Sequence, residues 1–454
     1  KGSFAAGSKC LDIHGTPGLV GSQYKLTKDS GTTITGLPLW SFVGTDGKTY
    51  WFDDAGGCYC RTAAGVWSLD KALGARVCGA IEYNGYLYVA TSNTLYRVIK
   101  AAGTYALASL ASWQTWTGAG VDTSWHPCLV GEDGTLYIGA GQYISSVNTA
   151  DAWNSQALDL PVNWAIRCLA YAGQMLLIGA SYSASAFNLS AIYRWDGLSD
   201  SFFDPCYINT PSINAMTSDG NFVLFQAGNR GKLYQYLGGT QKAEVKEIPG
   251  TYTPSALMDI YPNALVMKDG FAHLGVINST GSPCSVGVYT WGAKNKNYPR
   301  VLNFEYVISP DKVASVSIGS ILVAGDDIFV SWKDSTTYGV DKVDYTARYA
   351  SSEYCSTVFG GGRPLITFRR FVLNFEPLSA STSLTLSYKA DRASSWTTIS
   401  NQSGLYNTAS GTAAIFDETI VAGFLELKVA FGVATTSTPK LKSIEIIYEQ
   451  SDRY

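Results

Sequence analysis

The chain is short of charge. Asp, Glu, Lys and Arg together make up 15% of its 454 residues, where a soluble domain usually carries roughly 25%. Its 33 basic and 36 acidic residues leave a formal net charge of −3 and are scattered along the chain. No basic stripe is available to neutralise a phosphate backbone, so direct nucleic-acid binding is not expected. Nor does any apolar run approach the roughly 18 residues that a bilayer-crossing helix needs, and membrane insertion is not expected either.

Histidine is almost missing. The three copies, His14, His126 and His273, stand in no recognisable catalytic setting. His126 opens a repeat unit and reads as a loop or packing residue. Nine cysteines occur without a CxxC pair or a Cys/His cluster, a spacing that spells neither a zinc site nor a disulfide framework. Most are expected to be buried thiols that pack as small hydrophobes. A bridge from Cys58 or Cys60 to a distant cysteine stays open. Nucleophile elbow, phosphate loop, dinucleotide fingerprint and zinc-protease motifs are all lacking, so the sequence offers no catalytic residue, metal ligand or cofactor site.

What the chain does have is glycine, with 46 copies, and aromatic residues at 13%. They recur in a pattern. Asn84-Gly85 separates two apolar runs, and Tyr86-Leu87-Tyr88-Val89 follows the turn. Similar turns stand at Asp46-Gly47, Asp133-Gly134, Ala172-Gly173, Asp219-Gly220, Asp269-Gly270 and Gly325-Asp326, each trailed by a short apolar strand. Most units add a third strand centred on tyrosine, as in Cys58-Tyr59-Cys60, Leu95-Tyr96-Arg97, Ile192-Tyr193-Arg194-Trp195 and Val288-Tyr289-Thr290-Trp291. Three or four short antiparallel strands in units of roughly 40 to 50 residues are the footprint of a β-propeller blade. Helical solenoids would need longer runs at a period of 3.6.

The predicted fold is therefore all-β: a β-propeller over residues 36–360, with seven blades preferred and six or eight possible. Residues 1–35, broken by Thr16-Pro17-Gly18, read as a leading surface segment that lends a strand to close the fold. The repeat stops near the Gly360–Pro364 stretch. Residues 363–454 then show longer strands in strict alternation, such as Leu425-Glu426-Leu427-Lys428-Val429, which predict a small jelly-roll-like antiparallel β-sandwich.

Propellers can host paired-carboxylate glycosidases, but Asp53-Asp54, Asp326-Asp327 and Asp417-Glu418 are neighbours whose side chains point to opposite faces of a strand, and turn structure explains them. The remaining candidates for ligand binding are Trp113, Trp116 and Trp125, in a Ser/Thr/Gly-rich connection where strand alternation does not force burial. On a loop, such rings stack on sugars or pack against a protein. The bland reading is that they plug a junction between blades.

The units from Ala75 to Gly250 and the ending Leu441-Lys442-Ser443-Ile444-Glu445 together resemble virion structural proteins of tailed bacteriophages. Phrases such as Asn84-Gly85-Tyr86-Leu87-Tyr88, Leu136-Tyr137-Ile138-Gly139 and Ile192-Tyr193-Arg194-Trp195-Asp196-Gly197 carry the same likeness. The resemblance implies a non-enzymatic tail or capsid-associated part, located in the virion and present in several copies, with other virion proteins as partners and a host-surface glycan as a further one. The alternative is a secreted or surface carbohydrate-binding propeller; a glycoside hydrolase or lyase ranks third.

Overall fold

A computed structural model describes residues 8–450 except 17, 32–33, 119, 122–123, 184–187, 221, 249–257, 279–285, 294–296, 298–299, 313–314, 361–364, 380, 401–410 and 435. Two compact units divide it. One comprises residues 28–287 and 310–342, and the other residues 1–27, 288–309 and 343–454.

The larger unit is the propeller. Its first blade is the meander Pro38–Val43, Thr49–Asp53, Gly57–Arg61 and Trp67–Ala72. The second runs Gly79–Tyr83, Tyr86–Ala90 and Thr94–Ala101, with Ala111–Thr115 along its outer side. The third to fifth blades are four-stranded and start with Cys128–Val130, Trp164–Ala172 and Ile213–Asp219. In the sixth, Met258–Lys268 pairs with Phe271–Asn278. The seventh begins Val316–Ala324, Asp327–Asp334 and Thr337–Arg348.

Turn chemistry sets these meanders locally. Asn84 and Gly85 both take positive φ, 49° and 77°, and Tyr83 faces Tyr86 across them. This is the mirror-image two-residue turn whose twist matches that of the flanking strands. Asp269 and Gly270 repeat it between Lys268 and Phe271. After Ala172 the two turn residues are Gly173 and Gln174, one position later than the sequence predicts. The Asp46 and Asp133 turns are longer and share another device: the hydroxyl of Tyr50 donates to Asp46, and that of Tyr137 to Asp133, each at 2.6 Å.

The first strands of the blades pack side by side as an inner ring, and Val316–Ala324 lies against Pro38–Val43 to close it. Seven inner strands stand in that ring among the described residues, which corresponds to the preferred blade number. Closure is tight. Ser331 donates its hydroxyl to the Pro38 carbonyl at 2.6 Å, and a Cβ on Gly319 would stand 2.1 Å from that same oxygen.

The apolar cores lie between blades. Leu39 and Phe52 of the first meet Leu87 and Val89 of the second. Tyr137 and Ile144 meet Ile166 and Leu176, and Leu177 and Ile192 meet Met216 and Phe225. Trp51 and Tyr59 of the first blade meet Leu322 and Phe329 of the seventh. A lone blade would leave both faces wet, so each stabilises its neighbours by roughly 1.5–3 kcal/mol for each large side chain fully buried.

In the other unit, Ser352–Cys355, Leu425–Gly432, Ser383–Ala390 and Thr397–Thr398 form one antiparallel sheet, and Ala413–Ala422, Ile366–Phe375 and Leu441–Gln450 a second. Phe371, Leu373 and Phe375 of the second sheet share one core with Leu384, Leu386, Leu427 and Val429 of the first. Glu426 and Lys428 alternate with that core, as the sequence predicts. The break at residues 361–364 lies outside the described residues.

Two assignments differ from the sequence reading. The segment expected to lie on the surface sends Leu11 into the sandwich core at 0% exposure, while Lys9 bridges to Glu353 and Val20 to Leu441. A lone leucine in a polar stretch carries no periodic signal, which is why this packing is not legible in the sequence. Ser352–Cys355, expected within 36–360, pairs with Leu425–Gly432. The hairpin of Val288–Gly292 and Val301–Tyr306 likewise belongs to the sandwich's unit. Tyr24–Lys28 does lie beside Thr337–Arg348 in one sheet.

Candidate functional site

Trp125 is the point at which the propeller converges. Its ring centroid lies 6.5 Å from that of Trp40 in the first blade and 5.7 Å from that of Tyr261 in the sixth. The guanidinium carbon of Arg76, at the head of the second blade, stands 4.4 Å from it, and that of Arg167 in the fourth stands 5.1 Å away. A side chain that touches blades one, two, four and six at once lies on the axis of the ring.

Each residue arrives there for a local reason. Arg76 directly precedes Val77-Cys78-Gly79 on the way into an inner strand. Arg167 sits at the register shift between Ile166 and Cys168, where a bulge re-aims a side chain. Trp125 leads into His126, whose backbone N–H donates to Cys78 at 2.7 Å. At Gly79 a Cβ would come 1.8 Å from the His126 carbonyl oxygen, so only glycine lets the second inner strand approach the loop that carries Trp125.

The electrostatics of the cluster are incomplete. The Nε atoms of Arg76 and Arg167 are both buried and have no hydrogen-bond partner, and neither arginine forms an ion pair among the described residues. Carboxylates are in range: burial pushes the Asp259 carboxyl up, against the pull of Arg167. Burial likewise raises the Tyr261 hydroxyl, with Arg76 opposing and Asp54 and Asp259 adding to the rise. Asp54 already accepts the Leu37 N–H at 2.7 Å.

The three sequence-predicted tryptophans do not form one surface. Trp116 is 5% and Trp125 6% exposed. Trp116 stacks on His126 at 4.4 Å and 13°, meets Trp153 edge-on, and donates its Nε1–H to Ser145 at 2.9 Å. With these faces covered, no ring plane is left for a sugar on Trp116 or Trp125, and the expectation of ligand stacking there is corrected to packing at blade junctions. Trp113 is half-buried, under the Arg97 guanidinium at 4.0 Å and against Tyr88 and Trp153. Arg97 is held in turn by Asp151 at 2.7 Å.

His126 is fully buried, with its ring nitrogens 2.9 Å and 3.0 Å from the carbonyls of Gly139 and Ser92, a packing residue as read from the sequence. Asp53 serves its turn: it accepts the N–H groups of Gly57 and Ala55 and the hydroxyl of Tyr59. Seven of the eight described cysteines are buried, and no bridge joins Cys58 or Cys60 to another described cysteine. Cys284 lies outside the described residues. Among the described residues, no group of three or more His, Cys, Asp or Glu could hold a metal ion, and no helix is long and apolar enough to cross a membrane. A groove of about 350 Å³ between the fourth and fifth blades is lined by Leu177, Arg194, Val223, Tyr236 and Leu237 among others; the Arg194 Nε is buried and has no hydrogen-bond partner among the described residues.

The sequence reading missed Arg76, Arg167, Asp259 and Tyr261. One signal was available: Arg76-Val77-Cys78 and Ile166-Arg167-Cys168 both place an arginine just ahead of a cysteine, before or within a blade's first strand.

No protein-family model matches the chain. No curated protein matches it in sequence. Solved structures do resemble it. Chaetomium thermophilum Raptor superposes with a TM-score of 0.51 at 8% identity, over 71% of this chain and 30% of that one. The extracellular domain of what is described as a one component system from B. thetaiotaomicron gives 0.49 at 14% identity, over 81% of this chain and 43% of that one. The β-propeller domain of Cps50 (Swd1) from Myceliophteria thermophila gives 0.47 at 9% identity, over 70% of this chain and all of that one. The chain thus spans less than half the length of the B. thetaiotaomicron and Raptor chains. At such identities the likeness is one of fold, and by its closed ring of inner strands this chain is a β-propeller protein.

Proposed function

We propose that the protein is a non-enzymatic interaction platform, a rigid propeller that holds partner proteins. In its finer form the proposal makes it a structural, tail-associated component of a viral particle, present in several copies beside other virion proteins. The observation that carries the platform reading is the ring closed through Ser331 and Pro38 with aromatic cores between its blades. Such a body presents broad faces with little internal freedom, so partners dock without the cost of ordering it. The virion reading is supported by the tailed-phage likeness of Asn84–Tyr88, Leu136–Gly139, Ile192–Gly197 and the Leu441–Tyr448 ending.

Sedimentation of nuclease-treated native material, with this chain followed by mass spectrometry across the gradient, tests both levels. Co-sedimentation with nuclease-protected DNA is the expected result for a virion part. Co-sedimentation with other proteins but no DNA retains the platform and removes the virion. A free species near its own 48.8 kDa removes both.

A further inference from the structure

We propose that the axial cluster of Arg76, Trp125 and Arg167 is a recognition site for a carboxylate carried by an acidic peptide segment of a partner protein. The proposal rests on the platform reading and names the chemistry of one partner.

Both guanidinium carbons lie close to one ring centroid, at 4.4 and 5.1 Å, so the two cations stand within about 10 Å of each other, roughly one Debye length at moderate salt. Packing against Trp125 confines both guanidiniums, whose fork of N–H donors can meet a carboxylate with two parallel hydrogen bonds. Among the described residues, no ion pair engages either arginine. Both Nε atoms are buried and unpartnered, a condition that costs free energy until an acceptor arrives. Arg97 is the internal contrast. It too stacks on a tryptophan, at 4.0 Å, but its guanidinium is bonded to both carboxylate oxygens of Asp151 at 2.8 and 2.7 Å. Asp259 does not fill that place for Arg167: no hydrogen bond or ion pair joins them among the described residues.

A peptide fits better than a sugar acid. A pyranose needs an open aromatic face, and Trp125 and Trp40 are 6% and 5% exposed. The donors are what the site has left to offer. Convergence of several blades on Trp125 also puts the two arginines on the ring's axis, where an extended acidic segment can reach both.

The test uses the purified full chain and a fluorescein-labelled, C-terminally amidated hexaglutamate, followed by anisotropy at about 50 mM salt. Binding is expected to weaken as salt rises, to weaken about tenfold or more in Arg76→Gln and in Arg167→Gln, and to be restored only in part by Arg167→Lys, which keeps the charge without the fork. Acetate should compete and acetamide should not. A hexa-alanine peptide with a free C-terminus forms a second arm: if it binds and amidated hexaglutamate does not, the carboxylate is a chain terminus and the acidic-segment form is overturned. Failure of both peptides to bind the wild type overturns the site, as does equal binding by the glutamine variants. Binding of glucuronate in place of both peptides overturns it in favour of a sugar acid. Thermal melts accompany each variant, and the salt and acetate arms need no variant at all. Loss of this site leaves the sedimentation result for the platform untouched, so the two can fail separately.

Discussion

The guanidinium of Arg76 lies over the ring of Trp125, with its central carbon 4.4 Å from the ring centroid, although a whole blade separates the two residues in the chain. The pair exists because the ring closes. Whatever disturbs the blade junctions is therefore expected to reach the axis.

Trp125→Ala removes a ring that contacts four blades at 6% exposure and is expected to cost about 3–5 kcal/mol of unfolding free energy. Trp113→Ala, at a half-buried position, should cost less than half of that. Urea titrations of the two variants side by side check the ranking. Equal losses would show that Trp125 does not hold the ring together.

Gly79→Ala and Gly319→Ala each press a methyl group against a neighbouring carbonyl oxygen, at 1.8 and 2.1 Å before relaxation. Backbone at both ends of the contact cannot yield as a side chain would. Each is expected to destabilise by about 3 kcal/mol or more, whereas Gly18→Ala, with open space around it, pays only for its positive φ of 78°, about 1 kcal/mol. Melting temperatures of the three variants give the order.

Glu305 supplies a pH dependence. It is 6% exposed, and burial pushes its carboxyl up to about 7, while Gln23 donates to its Oε1 at 2.5 Å. The folded protein therefore holds this proton more tightly than the unfolded chain does. The stabilisation is complete below the ordinary glutamate value near 4.5, declines as pH rises, and is gone above about 7. The change amounts to something on the order of 3 kcal/mol. Glu305→Gln should flatten stability across that window, measured by denaturant titrations at about pH 5 and pH 8; an unchanged slope would assign the dependence to other groups.

Asp53 is fully buried and accepts three hydrogen bonds of 2.6–2.9 Å, from Gly57, Ala55 and Tyr59. Asp53→Ala leaves those donors without an acceptor and is expected to cost about 3 kcal/mol. Asp53→Asn keeps one acceptor oxygen and should recover roughly half. Chemical denaturation of the pair separates the loss of hydrogen bonds from the loss of charge.

Burial pushes the thiols of Cys58, Cys168 and Cys355 up to about 12 and that of Cys60 up to about 11. With almost no thiolate at pH 8, they should react with a thiol reagent at least about a hundredfold more slowly in the native state than in denaturant. Rapid labelling of peptides containing these residues would contradict their burial.

The amino-acid sequence by itself determined what is local. Turn pairs such as Asn84-Gly85 and Asp269-Gly270 dictate mirror-image turns because few other residues accept positive φ at both positions. Alternation at Leu425, Leu427 and Val429 dictates a half-buried sheet because successive side chains point to opposite faces. The recurrence of such units made a propeller legible before any contact was known. Which residues meet across the ring was decided only by the tertiary structure. The path of Trp125 to the axis, the bonded state of Arg97 and the unbonded state of Arg167, and the descent of Leu11 into the sandwich core all depend on partners distant in the chain. Repeat chemistry encodes the blade; closure of the ring selects the neighbours, because a contact between residues far apart in the chain leaves no periodic trace in either stretch.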